Sequence, residues 1–339
     1  MTLRVVLIGY GLGGAAFHAP LITSVPGMVL VAVVTGNPER QEEVRRRYPG
    51  VAVLPEPGMV FAEPGHCDLV VVSTPNRTHV PLAADALKVG LPVVVDKPIA
   101  VTSAQARELE SYGPPVFPYH NRRWDGDFRT VRRLIGEGAL GKVQRFESRF
   151  ERWRPEVKES WKESRDPADA GSILYDLGAH LIDQSICLFG PPTHVYAEMD
   201  TRRPGAHVAD DVFLGLTHPG GVRSHLWMSA TAADLGPRFR VLGEQASYVI
   251  HGMDGQEDAL RAGRTPREPG WGQMPPETYG LLGVPGRARP VRTDLGAYQD
   301  FYKGVVATLE NGAPPPVPMA DAIAGLEVIE AAVRSAVGR

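Results

Sequence analysis

Up to Tyr119 the hydrophobic positions fall into short continuous runs separated by polar or helix-period segments. The first stretch, Leu3 to Phe17 (LRVVLIGYGLGGAAF), opens with branched residues and passes directly into Gly9, Gly11 and Gly14 before a small-residue segment compatible with a helix. Further apolar runs at Val29 to Val34, Val51 to Leu54, Asp68 to Ser73, Leu91 to Val95 and Val116 to Tyr119 predict more strands. Such unbroken hydrophobicity is what a parallel strand buried on both faces requires. Between the runs, PLITSVPGM reads as a helix end and loop. His79 begins a helix with Val80, Leu82, Ala83, Ala86 and Leu87 on its inner side, and Ser103 to Tyr112 forms another. Strands alternating with helices predict an α/β unit built on a parallel sheet.

Past His120 to Trp124 (HNRRW) the pattern changes. After a helix at Asp127 to Gly138, Lys142 to Arg154 alternates like a half-exposed strand. Short strands follow at Val195 to Met199, Asp211 to Thr217, Gly221 to Met228, Arg238 to Leu242 and Ala246 to His251. Turn-joined strands without intervening helices pair antiparallel, which predicts an α+β unit on a large, mostly antiparallel open sheet. One long helix is expected at Gly171 to Leu188 and a closing amphipathic helix at Asp321 to Val337. Arg261 to Val291, rich in Gly, Pro and Arg, reads as a surface excursion serving as a lid or a subunit contact. Trp271 within it is either an anchor or a substrate-facing ring.

The GxGxxG spacing gives the first turn a chemical meaning. Gly9 permits a sharp exit from the strand, Gly11 lets a pyrophosphate approach the backbone, and Gly14 allows close helix–strand packing. With Leu12, these residues place N–H groups and a helix dipole toward an anion. Residues 1–121 are therefore expected to form a Rossmann domain for NAD or NADP, and residues 122–339 a domain for substrate binding and oligomerisation. At 339 residues, a division into two domains is natural. A net charge of −3 excludes a nucleic-acid or anionic-membrane binder. No apolar run approaches a membrane span and the first strand replaces any leader, so a cytoplasmic location is expected. Cys67 and Cys187 lie in apolar sequence and read as buried thiols rather than a disulfide, metal site or nucleophile.

The second strand ends in Thr35, Gly36 and Asn37, without the carboxylate that accepts from the ribose hydroxyls in NAD-preferring domains. Thr35, Asn37 and Arg40 could instead donate to a 2′-phosphate, which favours NADP over NAD. At the next strand end Thr74, Pro75 and Asn76 line the cofactor groove, with His79 as a secondary contact. Asp96, Lys97 and Pro98 stand at the end of a central strand, where a lysine is costly without a partner. Lys97 is read there as functional, against the alternative of an ordinary ion pair. Asn121, Arg122 and Arg123 at the domain junction offer donors to a polyol. Asp176 and His180, four apart, share a helix face beside Tyr175. That pair fits a general acid/base assembly, a metal pair or a plain surface ion pair.

Together GYGLGG, TPNRTH, VVVDKP and LYDLGAHLID resemble the Gfo/Idh/MocA family of oxidoreductases. The resemblance implies a Rossmann domain followed by an open-sheet domain, oligomers formed through that sheet, and NAD(P)-dependent redox chemistry on sugars or cyclic polyols. Lys97 matches the lysine of the family's E-K-P motif, with Asp96 in place of Glu, and Asp176 and His180 match its D-x-x-x-H pair. FHAPLI at Phe17 to Ile22, HNRRWDGDF at His120 to Phe128 and GSILYDLGAHLIDQ are similar to the NADP-dependent scyllo-inositol dehydrogenase subgroup. The implied catalytic residues are Lys97, Asp176 and His180, with no metal. The resulting expectation is reversible hydride transfer from a secondary alcohol to the nicotinamide. His180, oriented by Asp176, would be the base, and Lys97 would hold the reacting oxygen. Competing expectations are a catalytically silent NAD(P)-binding regulator and a redox-cycling hydrolase or isomerase.

Overall fold

The structure, a computed structural model, describes residues 2–337. The chain divides into two compact units. The first holds the chain up to Asn121 together with Gln256–Trp271 and Ala297–Ala322. The second holds Arg122–Gly255, Gly272–Gly296 and the chain from Ile323. The chain first passes from one unit to the other after Asn121, and two later segments belong again to the first unit.

The first unit carries a six-stranded sheet of β1 (Leu3–Ile8), β2 (Met28–Val34), β3 (Ala52–Leu54), β4 (Leu69–Val72), β5 (Val93–Asp96) and β6 (Val116–Tyr119). All pairs are parallel, in the order β3-β2-β1-β4-β5-β6. The strand order reverses between β1 and β4, the switch point beyond whose carboxyl ends such sheets bind ligands. β4 is buried throughout and β5 up to its last residue, as their unbroken valine runs require. Among the helices, Ser103–Glu110 begins with a capping box in which Thr102 accepts from the Gln105 N–H and Gln105 accepts from the Thr102 N–H. A helix over Gln299–Asn311, which the pattern did not announce, buries Phe301, Tyr302 and Val305. Trp271 is an anchor: it is buried, and its indole N–H donates to Gln256 at 3.2 Å.

The second unit is built on an eight-stranded sheet of β7 (Val143–Glu151), β8 (His194–Asp200), β9 (Asp211–Thr217), β10 (Arg223–Ser229), β11 (Phe239–Gly243), β12 (Ser247–Ile250), β13 (Gly280–Gly283) and β14 (Arg289–Val291). Its order is β14-β13-β12-β11-β7-β10-β9-β8, antiparallel except where β10 runs parallel to β7. Alternate residues Phe146, Phe150, Leu214, Leu226, Phe239 and Val241 turn inward. Phe128 of the helix Gly126–Gly136 meets Phe239, and Phe189 of the helix Ala179–Phe189 meets Phe146. The stretch expected as a surface excursion instead supplies β13 and β14. Their side chains alternate too briefly to stand out among glycines and prolines, and the ladder to β12 selects them.

The long helix expected from Gly171 to Leu188 starts later and in two parts. Ala170 and Ser172 sit at φ 47 and 149, outside helical space. A π-helical turn then covers Leu174–Gly178 before the α-helix Ala179–Phe189. Cys67 is buried, which pushes its thiol up to about 11, and Cys187 is half-buried. Among the described residues no helix is long and apolar enough to cross a membrane.

Candidate active site

The glycine turn takes the form its spacing demands. Gly9 lies at φ +99, and a Cβ there would stand 2.2 Å from the Ser73 carbonyl oxygen. At Gly14 the added atom would be 2.1 Å from the Gly9 carbonyl, whereas at Gly11 only Arg40 Nη1 comes within reach, at 3.9 Å. The turn is thus closed behind and open at Gly11, the cradle a pyrophosphate needs. Gly13, which the spacing argument passed over, faces Ser73 and Asp96. A Cβ there would stand 2.5 Å from Ser73 Oγ and 2.9 Å from Asp96 Oδ2. The segment Gly13–His18 then winds as a π-helical turn into the helix Ala19–Ser24.

The neighbouring residues divide between lining and bracing. Asn37 caps the helix Pro38–Arg47 by accepting from the Arg40 N–H, and Thr35 Oγ1 accepts from the Asn37 N–H at 3.4 Å. Arg40 remains exposed beside Gly11. Thr74 Oγ1 accepts from Thr78, and Leu12 is 55 % exposed on the open side. His79, expected as a secondary cofactor contact, is instead a brace. It is buried, with Nδ1 2.8 Å from the Pro98 carbonyl and Nε2 2.8 Å from that of Thr74, so it ties two strand ends together. Burial pushes its pKa down, against the pull of Asp96.

Asp96, the last residue of β5, faces this cradle at Gly13, and Lys97 follows it. Asp96 Oδ1 accepts from the Lys97 N–H at 2.8 Å, and Oδ2 lies 3.2 Å from Ser73 Oγ and 3.4 Å from His18 Nε2. Burial works against its ionisation, yet His18, His79 and Lys97 hold it well below the usual carboxylate range. The Lys97–Pro98 peptide is cis.

In the second unit, His180 is buried at the start of the helix Ala179–Phe189 with its ring 6.3 Å from Phe150. The guanidinium groups of Arg122 and Arg152 lie 4.8 and 4.7 Å from the same ring. Asp176 is held by Lys162 at 2.7 Å, a partner 14 residues away that helix spacing could not reveal. Asp176 and Lys162 line a cavity of about 520 Å³ together with Arg152, Arg154 and Ser172. Tyr175 is half-buried, which raises its phenol pKa.

The turn Asn121–Trp124 differs from expectation at Arg123. Its Nε and Nη2 donate to the two oxygens of Asp183 at 2.9 and 2.6 Å, both side chains being buried. We therefore read Arg123 as fastening this turn to the helix rather than as a polyol ligand. Arg122 lies 3.4 Å from Asp125, and its carbonyl accepts from Gln184 at 2.9 Å. Asn121 is buried at the end of the first unit.

Comparison with known proteins agrees with this architecture. Residues 3–112 match the oxidoreductase family with an NAD-binding Rossmann fold, and residues 128–249 match the GFO/IDH/MocA C-terminal domain. The chain is 41% identical to the oxidoreductase YdgJ of Escherichia coli, covering 99% of this chain and 96% of YdgJ. It is 35% identical to the scyllo-inositol 2-dehydrogenase (NADP(+)) IolW of Bacillus subtilis, covering 98% and 94%. The solved oxidoreductase yvaA of Bacillus subtilis superposes with a TM-score of 0.92 at 34% identity over 99% of this chain and 98% of that one. The YPO2259 oxidoreductase of Yersinia pestis gives 0.91 at 38% identity over 99% and 95%. With an NAD-binding Rossmann cradle, a DKP strand end and full-length relatives of this kind, the chain belongs to the Gfo/Idh/MocA family of oxidoreductases.

Proposed function

We propose that the protein transfers a hydride between a nicotinamide dinucleotide, preferably NADP, and a secondary alcohol of an inositol-like cyclic polyol or sugar. The observation that carries this reading is the end of β5, where Asp96 faces a glycine turn whose open side fits a dinucleotide and Lys97 follows directly. The dinucleotide, when bound, supplies the hydride acceptor. The turn's backbone N–H groups and the exposed Arg40 would hold its phosphates. Arg40 beside Gly11, with no acid at the end of β2, supports NADP, as does the NADP-dependent activity named for the relative IolW. Lys97 binds the hydroxyl oxygen and stabilises the charge that develops there. His180 accepts the hydroxyl proton, and Asp176, held by Lys162, biases the charge around it. Activity on D-apiose and D-glucosides, named for more distant relatives, fits the same substrate class.

We further propose a homo-oligomer formed through the outer face of the second sheet. Phe213, His225 and Trp227 make a half-exposed aromatic ladder there, with Tyr196 at its edge and Arg149 lying 3.9 Å over Trp227. The test of the reaction is incubation with a panel of inositols and aldoses, each with NADP and with NAD, following the absorbance of the reduced nicotinamide. The reading expects net NADPH with at least one free polyol. No net reduction across the panel with either dinucleotide would overturn it.

A further inference from the structure

His18 lies in the FHAPLI segment and has no part in the reaction as described, yet it is completely buried at the end of the π-helical turn that leaves the dinucleotide cradle. Its ring is caged by Tyr119, 4.2 Å away between centroids, and meets Tyr302 edge-on. Both ring nitrogens have partners. Nδ1 is 2.6 Å from the Tyr302 hydroxyl, and Nε2 is 3.4 Å from Asp96 Oδ2. Burial, with Tyr119 and Asp96 nearby, keeps the Tyr302 phenol protonated far above its ordinary range. Asp96 is held ionised and can only accept. For a neutral ring the contacts are all attractive in one arrangement: Tyr302 O–H donates to Nδ1, and Nε2–H donates to Asp96.

We propose that Tyr302 and His18 are positioning residues, a buried pair that fixes the imidazole tautomer and so anchors the Asp96 carboxylate against Ser73 and the Lys97 backbone. The inference rests on the function proposed for Lys97. Asp96 is one methylene shorter than the glutamate of the E-K-P motif, and its carboxylate lies against His18 and Gly13. The groups acting on that carboxylate are His18, His79, Lys97 and the hydroxyl of Ser73. A hydrogen bond from a fixed donor holds it in one orientation among them. The backbone of Lys97, bonded to its other oxygen, is held with it.

The test uses the full chain. The 15N shifts of His18, assigned with H18Q and read with and without NADP, report the tautomer independently of turnover. The wild type should show the Nε2–H form, and Tyr302→Phe, which keeps the ring and removes only the hydroxyl, should lose that single form. With whichever polyol is turned over, H18L should lose roughly tenfold to a hundredfold in kcat, the range for a hydrogen bond to a charged group. H18Q, whose amide can still donate to Asp96, should recover most of it. An Nδ1–H or doubly protonated ring in the wild type, an unchanged tautomer in Tyr302→Phe, or equal kcat in H18L and H18Q would each overturn the proposal. The predicted tautomer in a protein that reduces no dinucleotide would leave the pair standing and overturn only the reaction.

Discussion

Replacing Arg123 with leucine removes half of a bidentate pair whose bonds measure 2.9 and 2.6 Å and whose side chains are 7% and 3% exposed. So little water reaches the pair that solvent cannot take over the charge of Asp183. Breaking a buried pair from one side costs about 3–5 kcal/mol, because the remaining carboxylate stays desolvated. For a unit of this size each kcal/mol moves the melting temperature by about 2–4 °C, so R123L should lower it by roughly 6–20 °C. The double variant R123L/D183L removes both charges and should recover most of that loss, since an apolar replacement of a buried pair is often close to neutral. Calorimetry on the wild type and the two variants measures the stability. Polyol KM in the double variant measures the function, and should stay within about twofold because Arg123 is fastened to the helix and not to substrate. A double variant that melts normally but shows KM raised about tenfold would refute this reasoning and return Arg123 to the substrate site.

Asp127 is fully buried, and desolvation, reinforced by Asp125 and Asp254, raises its carboxyl to about 7. A folded-state pKa above the unfolded one means that its contribution to stability is complete below the ordinary carboxylate range and is lost as pH rises through about 7. D127N, which still accepts from the Phe128 N–H, should flatten that slope in melts taken between about pH 5 and pH 8. Gly9→Ala places a Cβ 2.2 Å from the Ser73 carbonyl at φ +99. Left-handed strain alone costs about 1–2 kcal/mol, and the clash forces β1 and β4 to shift, so dinucleotide titration should show binding largely lost. Arg40→Ala should weaken NADP binding by roughly tenfold to a hundredfold and leave NAD nearly unchanged, as fluorescence titration of both dinucleotides would show.

Much of the first sheet was legible because parallel strands buried on both faces leave unbroken apolar runs, and β4 and β5 stand where those runs lie. The glycine turn was legible for a related reason: a Cβ at Gly9 or Gly14 would strike backbone, so the constraint is written locally. What escaped depends on partners far along the chain. Tyr302 meets His18 across 284 residues, Asp183 meets Arg123 across 60, and no periodicity links them. Asp176 and His180 have the spacing of a pair, but that spacing gives no sign of Lys162, 14 residues away in the short turn Trp161–Glu163, which donates to one Asp176 oxygen. β13 and β14 were hidden because three or four residues among prolines and glycines carry too little alternation. His79 read as a ligand because nothing in TPNRTH shows that two backbone carbonyls occupy its ring.

The central claim is that dinucleotide binding and proton transfer reside in different residues of the chain, and steady-state turnover measured beside dinucleotide affinity in His180→Ala and Lys97→Met tests it directly. Turnover should fall by roughly a hundredfold or more in each while the dinucleotide binds as in the wild type. Either variant turning over at the wild-type rate would contradict the account.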